Sequence, residues 1–254
     1  MVVDIDPAWA MSVYFLFLRL GVLLVLTPIF SSLSGLVTVR VLFTVAISVA
    51  LVSGLDLRMT AVPASLGPVI ASSALELVVG AAMAFGVFAA FGAFSVAGKL
   101  LDIQTGFGIG SVFDPVTRAG APLFATILNL LAVAVFFGME GHHAFLRGLA
   151  FSVQEVPPGS GFSAFSIEPV VRQFGLMFSL AVALIVPVIF CLFLVEAGLA
   201  VVSRVLPQMN VFVVGIPVKI VTGIALLAVT TGYLGPVMGR VYASIFTYWE
   251  QVLR

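Results

Sequence analysis

Long uncharged runs set the first prediction for this chain. Residues 20–39, 41–55, 77–98, 119–139, 173–195 and 220–239 each read as nearly continuous apolar sequence. A helix needs roughly 20 such residues to cross a bilayer. The pattern predicts about six long apolar helices with shorter amphipathic pieces between them. Pro28 and the cluster Ser31-Ser32-Leu33-Ser34-Gly35 are expected to end the first helix, since proline cannot donate to the helical ladder. The expected fold class is all-α, a polytopic membrane protein. The widest polar interruption, 154–169, contains Pro157-Pro158-Gly159-Ser160-Gly161 and reads as an exposed loop. There is no internal repeat and no polar stretch long enough for a soluble catalytic domain. The expectation is one domain over 1–254.

One interval runs against the apolar pattern. It reads Thr105-Gly106-Phe107-Gly108-Ile109-Gly110-Ser111-Val112-Phe113-Asp114-Pro115. Glycine inside a helix costs about 1 kcal/mol relative to alanine, and proline about 3 kcal/mol. In a bilayer, non-helical backbone survives only where protein buries it or where it lines a water-filled cavity. The segment is therefore a candidate pore, gate or binding loop.

Composition narrows the class further. The chain has 254 residues, 62% hydrophobic and 9% charged, where a soluble domain carries about 25% charged residues. Lys plus Arg and Asp plus Glu both number 11. With no basic cluster, nucleic-acid binding has no electrostatic footprint. The single cysteine, Cys191, lies in an apolar run and is expected to pack as a small apolar side chain. The first ten residues hold Asp4 and Asp6 but no Lys or Arg. That is unlike the basic start of a cleavable signal, and it favours an outer-side N-terminus.

The charges that do occur lie between or inside the apolar runs: Arg19, Arg40, Glu76, Lys99, Asp102, Arg118, Glu140, Arg147, Glu196, Arg204, Lys219 and Arg240. Intramembrane charges usually mark pathways or ion pairs. Those at run ends can snorkel, whereas Arg19 and Glu196 lie deeper and need partners, which another subunit could supply. The carboxylates are too scattered for a proton relay. Glu140, His142 and His143 form the only histidine cluster, with Glu140 and His143 spaced to share a helix face. Without further ligands a structural hydrogen-bonding role is expected there, and no metal site. Ala82, Gly86 and Ala90 recur every fourth residue, as do Ala89, Ala93 and Ala97. This spacing lets helices approach closely, inside the chain or between subunits. No nucleophile–base pair is visible, and Gly106-x-Gly108-x-Gly110 lacks the strand–turn–helix context of a dinucleotide site. The chain is expected to be no enzyme and to need no cofactor.

Three blocks together resemble one family. Gln104-Thr105-Gly106 through Phe113-Asp114-Pro115 looks like the central segment of FliR, a subunit of the flagellar type III export gate. Phe136-Phe137-Gly138-Met139-Glu140-Gly141-His142-His143 resembles the region that follows it. Arg204-Val205-Leu206-Pro207-Gln208-Met209-Asn210-Val211-Phe212-Val213-Val214-Gly215-Ile216-Pro217 resembles a third block. The blocks occur in family order at family-like spacing, so the likeness covers essentially the whole chain. The SctT proteins of virulence secretion share this architecture.

The resemblance implies a gated conduit for unfolded flagellar proteins, assembled with FliP-like and FliQ-like subunits beside an FlhB-like subunit. It also implies an inner-membrane place in the flagellar basal body, with contact to lipid and no small-molecule substrate. Its helices would be tilted hairpins with breaks, partly above the bilayer plane, and energy would come from the proton motive force and a partner ATPase. The family's plug loop maps onto about 103–118. There Gly106, Gly108 and Gly110 would allow a compact loop, while Phe107, Ile109, Val112 and Phe113 form an apolar seal. Asp114 and Pro115 would fix its exit. Pro207 and Pro217 are expected to bracket a polar turn in which Gln208 and Asn210 satisfy backbone groups, a structural or interfacial role. A small-molecule secondary transporter is the rival class, and it predicts internal repeats and a polar midplane site.

Overall fold

The computed structural model describes residues 6–28, 37–57, 59, 65–107, 122–160, 166–208 and 210–254. Among them are eight α-helices: α1 Pro7–Leu26, α2 Val37–Gly54, α3 Leu66–Thr105, α4 Leu123–Gly138, α5 Gly141–Glu155, α6 Glu168–Val205, α7 Val211–Thr231 and α8 Gly235–Leu253. The described residues form no strand. Five of these helices are long and apolar enough to cross a membrane, and the bent pair α4 and α5 can count as a sixth. The protein is an all-α, multi-pass membrane protein.

The helix boundaries correct several expectations. The first long helix covers Pro7–Leu26 and not residues 20–39. Asp6 caps it by accepting the Ala8 N–H at 3.0 Å, with Pro7 in the first turn. It ends where Thr27 is extended, immediately before Pro28. Arg19 hid it, because a charge inside the helix reads as its end. α3 runs for 40 residues, far past the expected 77–98, because its carboxylates Glu76 and Asp102 find partners within the chain. At 1.5 Å per residue it is about 60 Å long, twice the hydrocarbon thickness of about 30 Å. The expected helix over 220–239 is two helices. Thr230 and Thr231 turn their hydroxyls back to the Leu226 and Leu227 carbonyls, and Gly232 ends α7. Pro236 then starts α8, where the missing N–H does no harm.

The chain divides into two compact units. The first comprises Met1–Ala89, Glu140–Phe174 and Ser244–Arg254. Its core gathers Phe15, Leu16, Leu20, Met83, Leu149 and Trp249, all essentially inaccessible. α1 packs on α2, and Trp9 donates to Ser53 at 3.3 Å. The second comprises Ala90–Met139 and Gly175–Ala243. Its core holds Phe94, Leu101, Phe124, Leu128, Phe136 and Leu184. Tyr242 is ringed there by Phe91, Phe94 and Phe136 and donates to the Ala132 carbonyl at 2.6 Å. Outward faces stay apolar, as at Leu42 and Phe43 on α2 and at Phe190 and Phe193 on α6. Such area is characteristic of membrane or protein contact.

Candidate functional site

The end of α3 is built in detail. Gly106 adopts φ 78°, its N–H donates to the Ile103 carbonyl at 3.1 Å, and the Phe107 N–H donates to the Asp102 carbonyl at 3.0 Å. This paired closure stops a helix and requires a left-handed residue, which glycine supplies without strain. Thr105 is fully buried and bonds back to the Leu101 carbonyl at 2.8 Å. The remaining plug residues, Gly108, Ile109, Gly110, Val112, Phe113, Asp114 and Pro115, lie outside the described residues.

The chain returns at Pro122, whose side chain cannot cap α4. Asp102 supplies the cap instead. Its carboxylate accepts the Phe124 N–H at 2.9 Å and the Ala125 N–H at 3.1 Å, while only 4% exposed. Negative charge at a helix N-terminus is favourable because the first N–H groups have no helical partner. One turn earlier, Gly98 lies against the Phe124–Ala125 backbone so closely that a Cβ would collide with it. Ser95 adds a 2.7 Å bond to Asn129. On α7, Gly223 faces the Phe124 ring and the Thr105 methyl, where a Cβ would come within 3.0 Å and 3.2 Å.

The first unit contains a second clasp of the same design. Gly80 on α3 meets the Arg19 backbone of α1, and one turn away Glu76 takes the Arg19 guanidinium. Nε–Oε2 is 2.7 Å and Nη2–Oε1 is 3.1 Å. Arg19 also donates to the Ser152 carbonyl at 3.0 Å and the Val156 carbonyl at 2.8 Å. Glu76 accepts the Gly159 N–H at 2.8 Å. The partner for Arg19 thus comes from its own chain. The start of 154–169, expected to be exposed, is docked by this clasp, with Val156 and Pro158 buried. Gly159 sits at φ 76°, with Phe15 and Met59 where a Cβ would go.

Residues 10–245 match the family described as "Bacterial export proteins, family 1". The chain belongs to that family. It is similar to the flagellar biosynthetic protein FliR of Bacillus subtilis, 33% identical over 172 residues, 66% of each chain. To the FliR of Escherichia coli it is 25% identical over 252 residues, covering 97% of this chain and 94% of that one. To the secretion system apparatus protein SsaT of Salmonella typhimurium it is 26% identical over 160 residues, 62% of each.

The other residues singled out in this export protein are placed as follows. Ala82 and Ala90 are buried within the chain. Gly86 receives the Tyr248 ring from α8, while Trp249 donates to the Met83 carbonyl at 2.9 Å. Glu140 is left-handed at φ 56° between α4 and α5. It approaches His143 Nδ1 at 3.5 Å, both side chains more than half exposed. His142 is half-buried, its ring 4.2 Å from that of His143. No metal-binding cluster of three or more such ligands occurs among the described residues. Pro207 and Gln208 are exposed in the turn after α6, and Asn210 caps α7 by accepting the Val213 N–H at 3.4 Å. Pro217 does not bracket that turn. It lies inside α7, because the Asn210 cap starts the helix before it. Glu196 accepts from Gln104 at 3.1 Å and lies 3.7 Å from Lys219 Nζ, half exposed. Sequence reasoning placed Asp102 only among the scattered charges and missed it as a helix cap. Its signal was an acid shortly before a glycine run and within reach of the next helix start.

Proposed function

We propose that this export protein is a core subunit of the flagellar type III export gate in the bacterial inner membrane, at the flagellar basal body. It assembles with FliP-like and FliQ-like subunits beside an FlhB-like subunit, and the assembly conducts unfolded flagellar proteins. The reading involves no catalytic step and no cofactor. The observation that carries it is similarity to FliR proteins over nearly the full length of both chains. The narrower likeness to SsaT supports a second reading, the SctT position in a virulence secretion system.

Residues 106–118 form the plug of that conduit, the first three of the expected 103–118 belonging to α3. Support comes from the break itself: α3 closes at Gly106 and α4 opens at Leu123, so the glycine-rich run joins two apolar helices. Phe107, Ile109, Val112 and Phe113 supply apolar bulk by sequence, and apolar constrictions close to ions by dewetting. Native mass spectrometry after co-expression with its genomic neighbours tests the assembly. One complex with FliP-like and FliQ-like chains is expected, whereas a stable monomer or homodimer would overturn it. For the plug, Phe107→Ala with Phe113→Ala is expected to raise ion leakage through the gate. Unchanged conductance would remove the seal.

A further inference from the structure

We infer that Asp102 is the positioning residue that ties together the two ends of the chain between α3 and α4. The inference rests on the seal reading above and assigns the group that holds the frame of the seal. Three observations carry it. The Asp102 carbonyl accepts the Phe107 N–H and closes α3. Its carboxylate accepts the Phe124 and Ala125 N–H groups and opens α4. One residue therefore holds the departing chain with its backbone and the returning chain with its side chain.

The third observation is that, among the described residues, no other side chain caps the start of α4. Pro122 offers no side-chain cap, and the caps preferred at such a position are Ser, Thr, Asp and Asn. The carboxylate is buried, so it shields these two donors from bulk water. The bonds also cross between elements 22 and 23 residues apart in sequence. An ordinary cap stabilises its own helix start. This one joins the end of one helix to the start of the next.

The experiment uses the whole co-expressed gate complex, reconstituted in liposomes, with Asp102→Ala and Asp102→Asn. Flux of a small cation is recorded on the unlabelled complexes. In parallel, spin labels at Ile103→Cys and Thr126→Cys, in a Cys191→Ser background with partner cysteines removed, report the distance between the helix ends. Both labelled positions are exposed. Asp102→Ala is expected to broaden that distance and to raise flux roughly fivefold to thirtyfold, as loss of a cap of ordinary strength implies. Asp102→Asn keeps one acceptor oxygen and is expected to fall between alanine and wild type in both readouts. It also keeps the test open if the alanine variant fails to assemble.

An unchanged distance in both variants would overturn the tie. A broadened distance with unchanged flux, while Phe107→Ala with Phe113→Ala still leaks, would overturn Asp102 as positioning residue and leave the seal standing. If neither Asp102 nor the phenylalanine pair alters flux, the seal reading falls and takes this inference with it.

Discussion

Removing either half of the Arg19–Glu76 clasp should unlock the first unit. The pair is buried, with Arg19 0% and Glu76 3% exposed. Breaking such a pair by deleting one partner costs about 3–5 kcal/mol, because the other charge stays buried without compensation. Arg19→Met also strips the Ser152 and Val156 carbonyls of a donor, and Glu76→Leu strips the Gly159 N–H of its acceptor. At about 2–4 °C per kcal/mol for a chain of this size, each single variant should melt roughly 6–20 °C below wild type. The assay is intrinsic fluorescence melting of the purified protein in mild detergent. The double variant Arg19→Met with Glu76→Leu removes both charges at once, so its loss should be clearly smaller than the sum of the singles. Single variants within about 1 kcal/mol of wild type, or strictly additive losses, would refute the clasp.

Two further contrasts test the packing. Gly98→Ala should destabilise the protein by forcing α3 off the α4 backbone, whereas Gly175→Ala, with open space at its Cβ, should be neutral or gain up to about 1 kcal/mol of helix propensity. The same melting assay separates them. The tyrosines of α8 should respond oppositely to phenylalanine. Tyr242→Phe loses the bond to the Ala132 carbonyl and about 1 kcal/mol. Tyr248 Oη is buried without a hydrogen-bond partner among the described residues, so Tyr248→Phe should stabilise by about 1 kcal/mol. Burial also pushes the Tyr248 hydroxyl up to about 12 from 10.0. The unfolded chain therefore loses this proton at lower pH than the fold does. The stability is complete below pH 10.0, then falls as pH rises toward the folded value. The advantage of Tyr248→Phe should accordingly widen in melts above that pH, and a constant gap would refute it.

The class of this protein was legible along the chain, because hydropathy is a local property and every apolar run declares itself. That the helix must break within 105–115 was equally legible, since glycine's freedom at positive φ belongs to the residue and needs no neighbour, although its end at Thr105 was not. Asn210 as a cap is local in the same way. What the chain could not declare was which charges meet. Arg19 and Glu76 are 57 positions apart, and only the close approach of α1 and α3 at Gly80 brings them into contact. The same missing information shifted the first helix, because an arginine inside it reads as an end until its partner is known. The small-residue stripe at Ala82, Gly86 and Ala90 announced a close contact but not what meets Gly86, the Tyr248 and Trp249 side chains of the last helix in the chain. Asp102 shows the division most clearly. Its sequence neighbours mark the end of a helix, and only the tertiary approach at Gly98 turns its carboxylate into the start of the next. Local backbone preferences are written residue by residue, whereas a buried charge acquires its role from whatever the folded chain places against it.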